Sequence, residues 1–355
     1  MPSGTLGTID LLKSNFQSVE SYGEDNLYDN LRGYYEYHNQ QMQWFMEELY
    51  DRTTEKEMIF GTSDDMGMDE YDEYGRPHAQ KIAYGVRVGF PLRMWGRTLQ
   101  WTRNYFREVP VAEFTAQYLG VLKADRQRVV NEAMRAIFTP TNYDWQDVNV
   151  AMRSVIPIPV KALVNADSAR IPAAPNGTTF DGSTHTHYLA TASLAASDVS
   201  ALIDTVAEHY TAGALELAIN RAQLATLKTF TANFLPYAFS GVTQSVNANR
   251  TLGGQQTTLN NQDQEVGIWD DVPVWVRKWV PANYMVAYVR GAANKVLMMR
   301  TRTNGSGELE ILAEDERFPL RARSYGREFG FGVRERTGAA VLRTNNGSYA
   351  APTIA

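Results

Sequence analysis

Two histidines, His185 and His187, form an H-x-H pair whose imidazoles can share a metal ion. They stand in a stretch rich in glycine and threonine, with Asp181 as the nearby acidic candidate for a third ligand. Taken with the acidic run upstream, the pair supports a metal-dependent hydrolase as one reading, tested by metal analysis of variants with alanine at both histidines. That acidic run is SDDMGMDEYDEYG, where Asp64, Asp65, Asp69, Glu70, Asp72 and Glu73 crowd together without a basic residue. Calcium would suit such carboxylates, but the D-x-D-x-D-G spacing of a helix-flanked calcium loop is missing, so the run reads as a solvated acidic loop. The glycines of GREFGFG, Gly326, Gly330 and Gly332, match a phosphate cradle in number, yet no helix follows to supply its N-terminus. Arg317, Arg321, Arg323, Arg327, Arg334 and Arg336 are also clustered. They suggest a phosphate or DNA surface, with steep salt dependence as its sign, but the interleaved Glu314, Asp315, Glu316, Glu328 and Glu335 favour ion pairing. No G-x-S-x-G, Walker loop or H-E-x-x-H motif occurs, so no catalytic, cofactor-binding or metal residue is assigned.

The balance of 34 basic against 40 acidic residues gives a net charge of −6, which argues against tight non-specific nucleic-acid binding as the main activity. Without cysteine there are no disulfides, thiolate metal sites or thiol nucleophiles, and stability must come from packing and interfaces. Arginine outnumbers lysine 26 to 8. A heavily interfaced subunit would show that bias, because the planar guanidinium pairs carboxylates bidentately; an arginine-rich codon usage explains it equally well. No apolar run is long enough to span a bilayer and no leader pattern follows Met1, so folding in a cytoplasm is expected.

The element that must position everything else is VAEFTAQYLGVLKADRQRVVNEAMRAIF, residues 111–138. Pro110 precedes it, Pro140 follows it, and Val111, Phe114, Tyr118, Leu122, Val129, Ala133 and Ile137 recur at helical spacing. Lys123, Asp125, Arg126, Arg128 and Glu132 supply its polar faces. At 1.5 Å per residue this helix would run about 40 Å, the width of a domain. Ahead of it lies a segment with a helix expected near 31–50, carrying Tyr34, Tyr35, Tyr37, Trp44, Phe45, Leu49 and Tyr50 among polar residues. Such a segment cannot form a core alone and reads as an arm docking on another surface. Between arm and helix, Ile82, Tyr84, Val86, Val88, Phe90, Leu92 and Met94 alternate as a strand with one buried face, and Pro91 suits an edge or projecting hairpin.

Beyond the helix, VIPIPVKALV is extended and 165–196 is loop-like. SDVSALIDTVAEHY is a capped helix, and LELAI with AQLATLKTF a strand and short helix. Residues 241–264 form a polar loop. Strands follow at VPVWV, NYMVAYV and KVLMMRTRT, then an Asn304-Gly305 hairpin turn into GELEIL, and a frayed tail from Asn345.

This order of parts resembles the major capsid protein of tailed double-stranded-DNA bacteriophages, with the Hong Kong 97-type fold shared with encapsulins. LELAINRAQLATLKTF resembles the family's axial-domain unit, VPVWVRKWVP its later strand, and FGFGVRERTGAAVL its final peripheral strand. The resemblance implies an α+β phage major capsid fold. It has an N-terminal arm at 1–55, an extended loop at 56–107, a peripheral domain at 108–196 holding the spine helix, an axial domain at 197–290, and a return to the peripheral domain with the tail at 291–355. It further implies a non-enzymatic virion shell subunit folded in the host bacterial cytoplasm. Identical copies would form hexamers and pentamers of an icosahedral shell around packaged DNA held by weak contact. Scaffolding protein, portal and decoration protein would be the other partners, with no cofactor and no membrane. Trp44, Phe45, Lys81, Arg87, Trp95, Arg97, Arg321 and Arg323 are the assembly-interface candidates. Lys81, the one lysine between Lys56 and Lys123, is the leading candidate for the inter-subunit crosslink some relatives make, though a non-covalent shell is preferred. An encapsulin-like shell enclosing an enzyme is the nearest alternative.

Overall fold

The computed structural model describes residues 17–44, 47–61, 68, 70–71, 73–75, 85–149, 154–210, 214–237, 263–292, 294–302, 307–317 and 319–354. After a one-turn helix, the arm helix α1 spans Glu24–Trp44, several residues earlier than expected, and Tyr50–Thr53 is the strand β1. The excursion contributes β2 (Glu57–Phe60) and β3 (Val86–Gly89), an antiparallel pair. Pro91 ends that ladder, and β4 (Arg93–Thr102) starts afresh. Ile82 and Tyr84 of the expected strand lie outside the described residues, and from Val86 onward the alternation is broken: Met94 falls on the outer face of β4 and is 72% exposed. A short helix α2 (Arg103–Glu108) leads into α3 (Val111–Phe138), whose bounds match the sequence reading. Pro110 occupies its N-cap, Glu113 lies in the first turn and Arg135 in the last, each charge complementing the helix dipole.

The hairpin β5 (Tyr143–Asn149) and β6 (Ser154–Val160), β7 (Tyr188–Ala190), helix α4 (Ala196–Ala207) and β8 (Ala214–Ile219) follow. The remaining strands are β9 (Phe234–Pro236), β10 (Asp263–Trp269), β11 (Val272–Arg277), β12 (Tyr284–Arg290), β13 (Leu297–Thr301), β14 (Glu310–Arg317), β15 (Leu320–Val333) and β16 (Ala339–Arg343).

Two larger sheets organise these parts. Seven strands run in the order β7-β16-β12-β8-β11-β10-β9. One face of this sheet carries α4 through Val199, Leu202, Ile203 and Val206; the other shares a core with the C-terminal half of α3 and the second sheet. With both faces covered, β12 is buried at every position but its last, and it reads as a continuous apolar run. The second sheet has the path β1-β13-β15-β14, with β4 also on β15. Strands β13 and β14 each pair with β15 and not with each other, so the hairpin expected across Asn304-Gly305 does not form; the turn itself lies outside the described residues. The stretch FGFGVRERTGAAVL is also two strands: it ends β15, turns, and enters the seven-stranded sheet as β16.

The N-terminal half of α3 has its own core. Phe114 meets Trp101 at 4.8 Å and Phe106 at 5.6 Å between ring centroids, and Leu27 and Leu31 of the arm are buried in the same cluster. The arm thus docks on its own chain. So does the tail, which was expected to fray: Tyr349 donates to the Phe138 carbonyl at 2.7 Å, Tyr284 to Ala350 at 2.6 Å, and Arg135 to Ile354 at 3.1 Å.

Candidate functional site

No catalytic constellation emerges among the described residues; what does emerge is a set of anchors for reaching elements and one cluster of histidines. The root of the excursion is clamped. Asp147 of β5 accepts from Lys56 at 2.8 Å and from Arg300 of β13 at 3.2 Å, and Arg300 also donates to the Phe90 carbonyl at 3.0 Å. Burial opposes ionisation of Asp147, but hydrogen bonds and charge from Lys56 and Arg300 outweigh it and hold the carboxyl below its usual range. Phe60, Val88, Phe90 and Met298 close an apolar plug beneath. The glycines of GREFGFG serve this crossing: a Cβ on Gly330 would lie 2.2 Å from the Pro91 carbonyl oxygen, and one on Gly332 2.5 Å from that of Gly89. They permit close backbone approach and cradle no phosphate.

The arm is latched at Asp125, which the sequence reading placed on a polar face. It is buried instead, accepting from His38 at 2.8 Å and Arg327 at 3.0 Å. Asn39 exchanges two 3.1 Å hydrogen bonds with the backbone of Leu309, and Tyr35 donates to the same carbonyl. Glu132, also read as polar-face, is buried beside Arg128 and Arg135. Asp125 was visible in principle, since Tyr118, Leu122, Asp125 and Val129 follow the 4-3-4 spacing of the buried stripe.

The interface candidates are dispersed. Arg87 is exposed on β3 and paired bidentately with Glu57 at 2.6–3.0 Å. Trp95 is half-buried under the Arg128 guanidinium, 4.4 Å from its ring, and Arg97 is exposed on β4. Arg321 pairs with Glu24 and Glu316; Arg323 pairs with Glu314 at 2.7 Å and lies 3.8 Å over the Tyr28 ring. Arg327 and Arg336 reach Asp125 and Asp167, and Arg334 reaches Asp51. Ion pairing therefore describes the arginine cluster. Trp44 ends α1, while Phe45, Lys81 and most of the acidic run, including Asp64, Asp65, Asp69 and Asp72, lie outside the described residues. Glu70 and Glu73 are exposed.

The histidine pair acquires partners the sequence did not announce. Asp181 is not among them: its carboxylate accepts from Ser183 and Thr184 within its own turn. Instead His209 and Glu208, at the end of α4, meet His185 and His187. The Nε2 atoms are 3.3 Å apart for His185–His187, 3.2 Å for His185–His209 and 3.1 Å for His187–His209. Glu208 Oε1 is 3.3 Å from His185 Nε2 and 3.7 Å from His209 Nε2. Phe180 stacks on the rings of His185 and His209 at 4.8 and 4.3 Å. Burial lowers all three imidazoles, His187 and His209 to about 3, so at neutral pH they are uncharged. A separation of more than 20 residues hid His209 from any spacing argument.

A chain of Mycobacterium phage Patience superposes with a TM-score of 0.68 at 21% identity, over 92% of this chain and 90% of that one. The chain has the phage major capsid fold. The capsid of the native GTA particle, at TM-score 0.47 and 13% identity, is matched over 85% of this chain and 90% of that one. The holo-SrpI encapsulin of Synechococcus elongatus PCC 7942, at 0.44 and 11%, is matched over 88% and 90%. No protein-family model and no curated protein matches the sequence. Among the described residues no helix is long and apolar enough to cross a membrane.

Proposed function

We propose that the chain is the structural subunit of a tailed-phage capsid, and that its activity is self-assembly. The observation that carries this is the fold match to a phage chain along nine-tenths of both molecules. The excursion supports it: its root is clamped rigidly, yet Ile59, Tyr71, Tyr74 and Met94 are left exposed, apolar surface that a neighbouring subunit would cover. On this reading Arg87 and Arg97, exposed on β3 and β4, contact the adjacent copy together with Trp44, Phe45, Lys81 and Trp95, and Arg321 and Arg323 act from beside the arm.

Copies would associate as hexamers and pentamers and close an icosahedral shell around packaged double-stranded DNA, assisted by scaffold, portal and decoration proteins. Virion capsid is the corresponding location, after folding in the host cytoplasm. The mild negative charge suits a container that holds DNA without gripping it. Electron microscopy of the protein, alone and co-expressed with candidate scaffold, tests the proposal. Closed shells or capsomer rings are expected, with nucleic acid rather than protein cargo inside; a subunit that stays monomeric in every condition with scaffold supplied refutes it.

A further inference from the structure

We propose that His185, His187, His209 and Glu208 hold a zinc ion in a closed, structural site that ties the loop ahead of β7 to the end of α4. His187 Nδ1 lies 2.7 Å from the Ala339 carbonyl oxygen, a group that can only accept, so Nδ1 carries the proton and Nε2 presents a lone pair. That lone pair points at two further imidazole nitrogens within 3.3 Å, which are themselves 3.2 Å apart. A neutral imidazole has one N–H, directed along one line, so three mutually adjacent Nε2 atoms cannot satisfy all three contacts. If His185 and His209 both carry the proton on Nε2, their N–H groups oppose each other; if either does not, two lone pairs do. A cation at the centre of the triangle removes the conflict, with all three lone pairs directed at it.

The dimensions agree. Four donors about 2.0–2.1 Å from a tetrahedral zinc are separated by about 3.3–3.4 Å, and the observed nitrogen spacings are 3.1–3.3 Å. Glu208 Oε1, 3.3 Å from His185 Nε2 and 3.7 Å from His209 Nε2, would supply the fourth ligand after a small movement of its partly exposed side chain. The donor set is built rather than casual: His187 is fully buried and the His209 side chain is 3% exposed. The carbonyl of Ala339 fixes the orientation of His187, as outer partners of zinc histidines do, and Phe180 covers the other two rings. Three imidazoles and one carboxylate in a tetrahedron suit zinc; calcium and magnesium prefer an all-oxygen shell and copper(II) a planar one. Four protein ligands leave no open position, which marks the site as structural. The ion would join two parts of the chain, Glu208 and His209 after α4 and His185 and His187 before β7, with His187 already held to Ala339 of β16 through its other ring nitrogen.

The test uses the whole 355-residue chain, grown with added zinc and desalted. About one zinc per chain is expected by elemental analysis. After chelation and reloading with cobalt(II), the intense visible bands of a tetrahedral N3O site should appear. Because loss of the buried His187 can unfold the region, the edge variants His185→Ala and Glu208→Ala carry the comparison. Both should keep the wild-type circular dichroism, bind zinc at least tenfold more weakly, and lose the rise in thermal midpoint that zinc gives the wild type. Folded wild-type protein that retains no more zinc than His185→Ala, or a weak octahedral cobalt spectrum, overturns the assignment.

Discussion

Replacing Asp125 with alanine probes the latch that holds the arm on the long helix. The carboxylate is the anionic partner of Arg327, whose side chain is 2% exposed, and it also accepts from His38 on the arm. Apart from Asp125, the Arg327 guanidinium donates to the Asn39 side-chain Oδ1 at 3.3 Å, and its Nε has no partner among the described residues. Asp125→Ala therefore strands a buried cation, a change that costs about 3–5 kcal/mol, far more than the loss of one exposed ion pair. With a urea m-value of about 3 kcal/mol/M, that is a fall of about 1–1.7 M in the unfolding midpoint of the unassembled subunit. The physical claim is that the cost comes from the uncompensated charge and not from missing carboxylate packing. The double variant Asp125→Leu with Arg327→Met, which removes both charges and refills the volume, should recover most of the loss. Limited proteolysis supplies an independent reading, since α1 should become cleavable in Asp125→Ala and be protected again in the double variant. A single-variant cost below about 1 kcal/mol, or a double variant no more stable than the single, would refute the reasoning.

Glycine substitutions should act with opposite signs. Gly120→Ala on α3, where an added Cβ meets nothing within 4 Å, should stabilise by about 0.8–1 kcal/mol, whereas Gly330→Ala drives a Cβ to 2.2 Å from the Pro91 oxygen and should destabilise by about 1–3 kcal/mol; paired thermal melts read both. Leu122→Pro should break α3 at a cost of about 3 kcal/mol or more and abolish assembly, seen as loss of shells or rings by electron microscopy. Acid should loosen the root of the excursion. Burial disfavours the Asp147 anion, but Lys56 and Arg300 win and set its folded pKa below the unfolded one, so its stabilising contribution is present above the ordinary carboxylate range and is lost as pH falls through the lower folded value. Asp147→Asn should flatten that strongly acidic limb of a stability-versus-pH curve and leave the neutral limb unchanged in slope.

Local periodicity and the placement of prolines determined what the chain does over short distances. Pro110, Pro140 and a continuous stripe of apolar residues were enough to bound α3, because helix termini and a buried face are set by residues within a few turns. The same holds for the positions of α4, β8, β11 and β12, although β8, read as alternating, is buried at all of its last four residues. The arm's inability to bury its own aromatics was legible too; that it would dock on Phe114 and Trp101 of the same chain was not. Sheet pairing belongs to the tertiary structure. Strands β13 and β14 flank a turn sequence that invites a hairpin, yet both pair with β15, because a ladder is decided by which edges are left open after the core forms. Buried charge divides between the two levels: Asp125 looks solvated in a one-dimensional reading and only the tertiary approach of Arg327 compensates its burial, whereas Glu132 is paired within α3 by Arg128 and Arg135, one turn before and one turn after it. The histidine cluster is the clearest case. His185 and His187 were visible as a pair, but two donors at i and i+2 leave a metal site unspecified, and it took the packing of α4 against the sheet to bring donor atoms of His209 and Glu208 to within 4.8 Å of theirs.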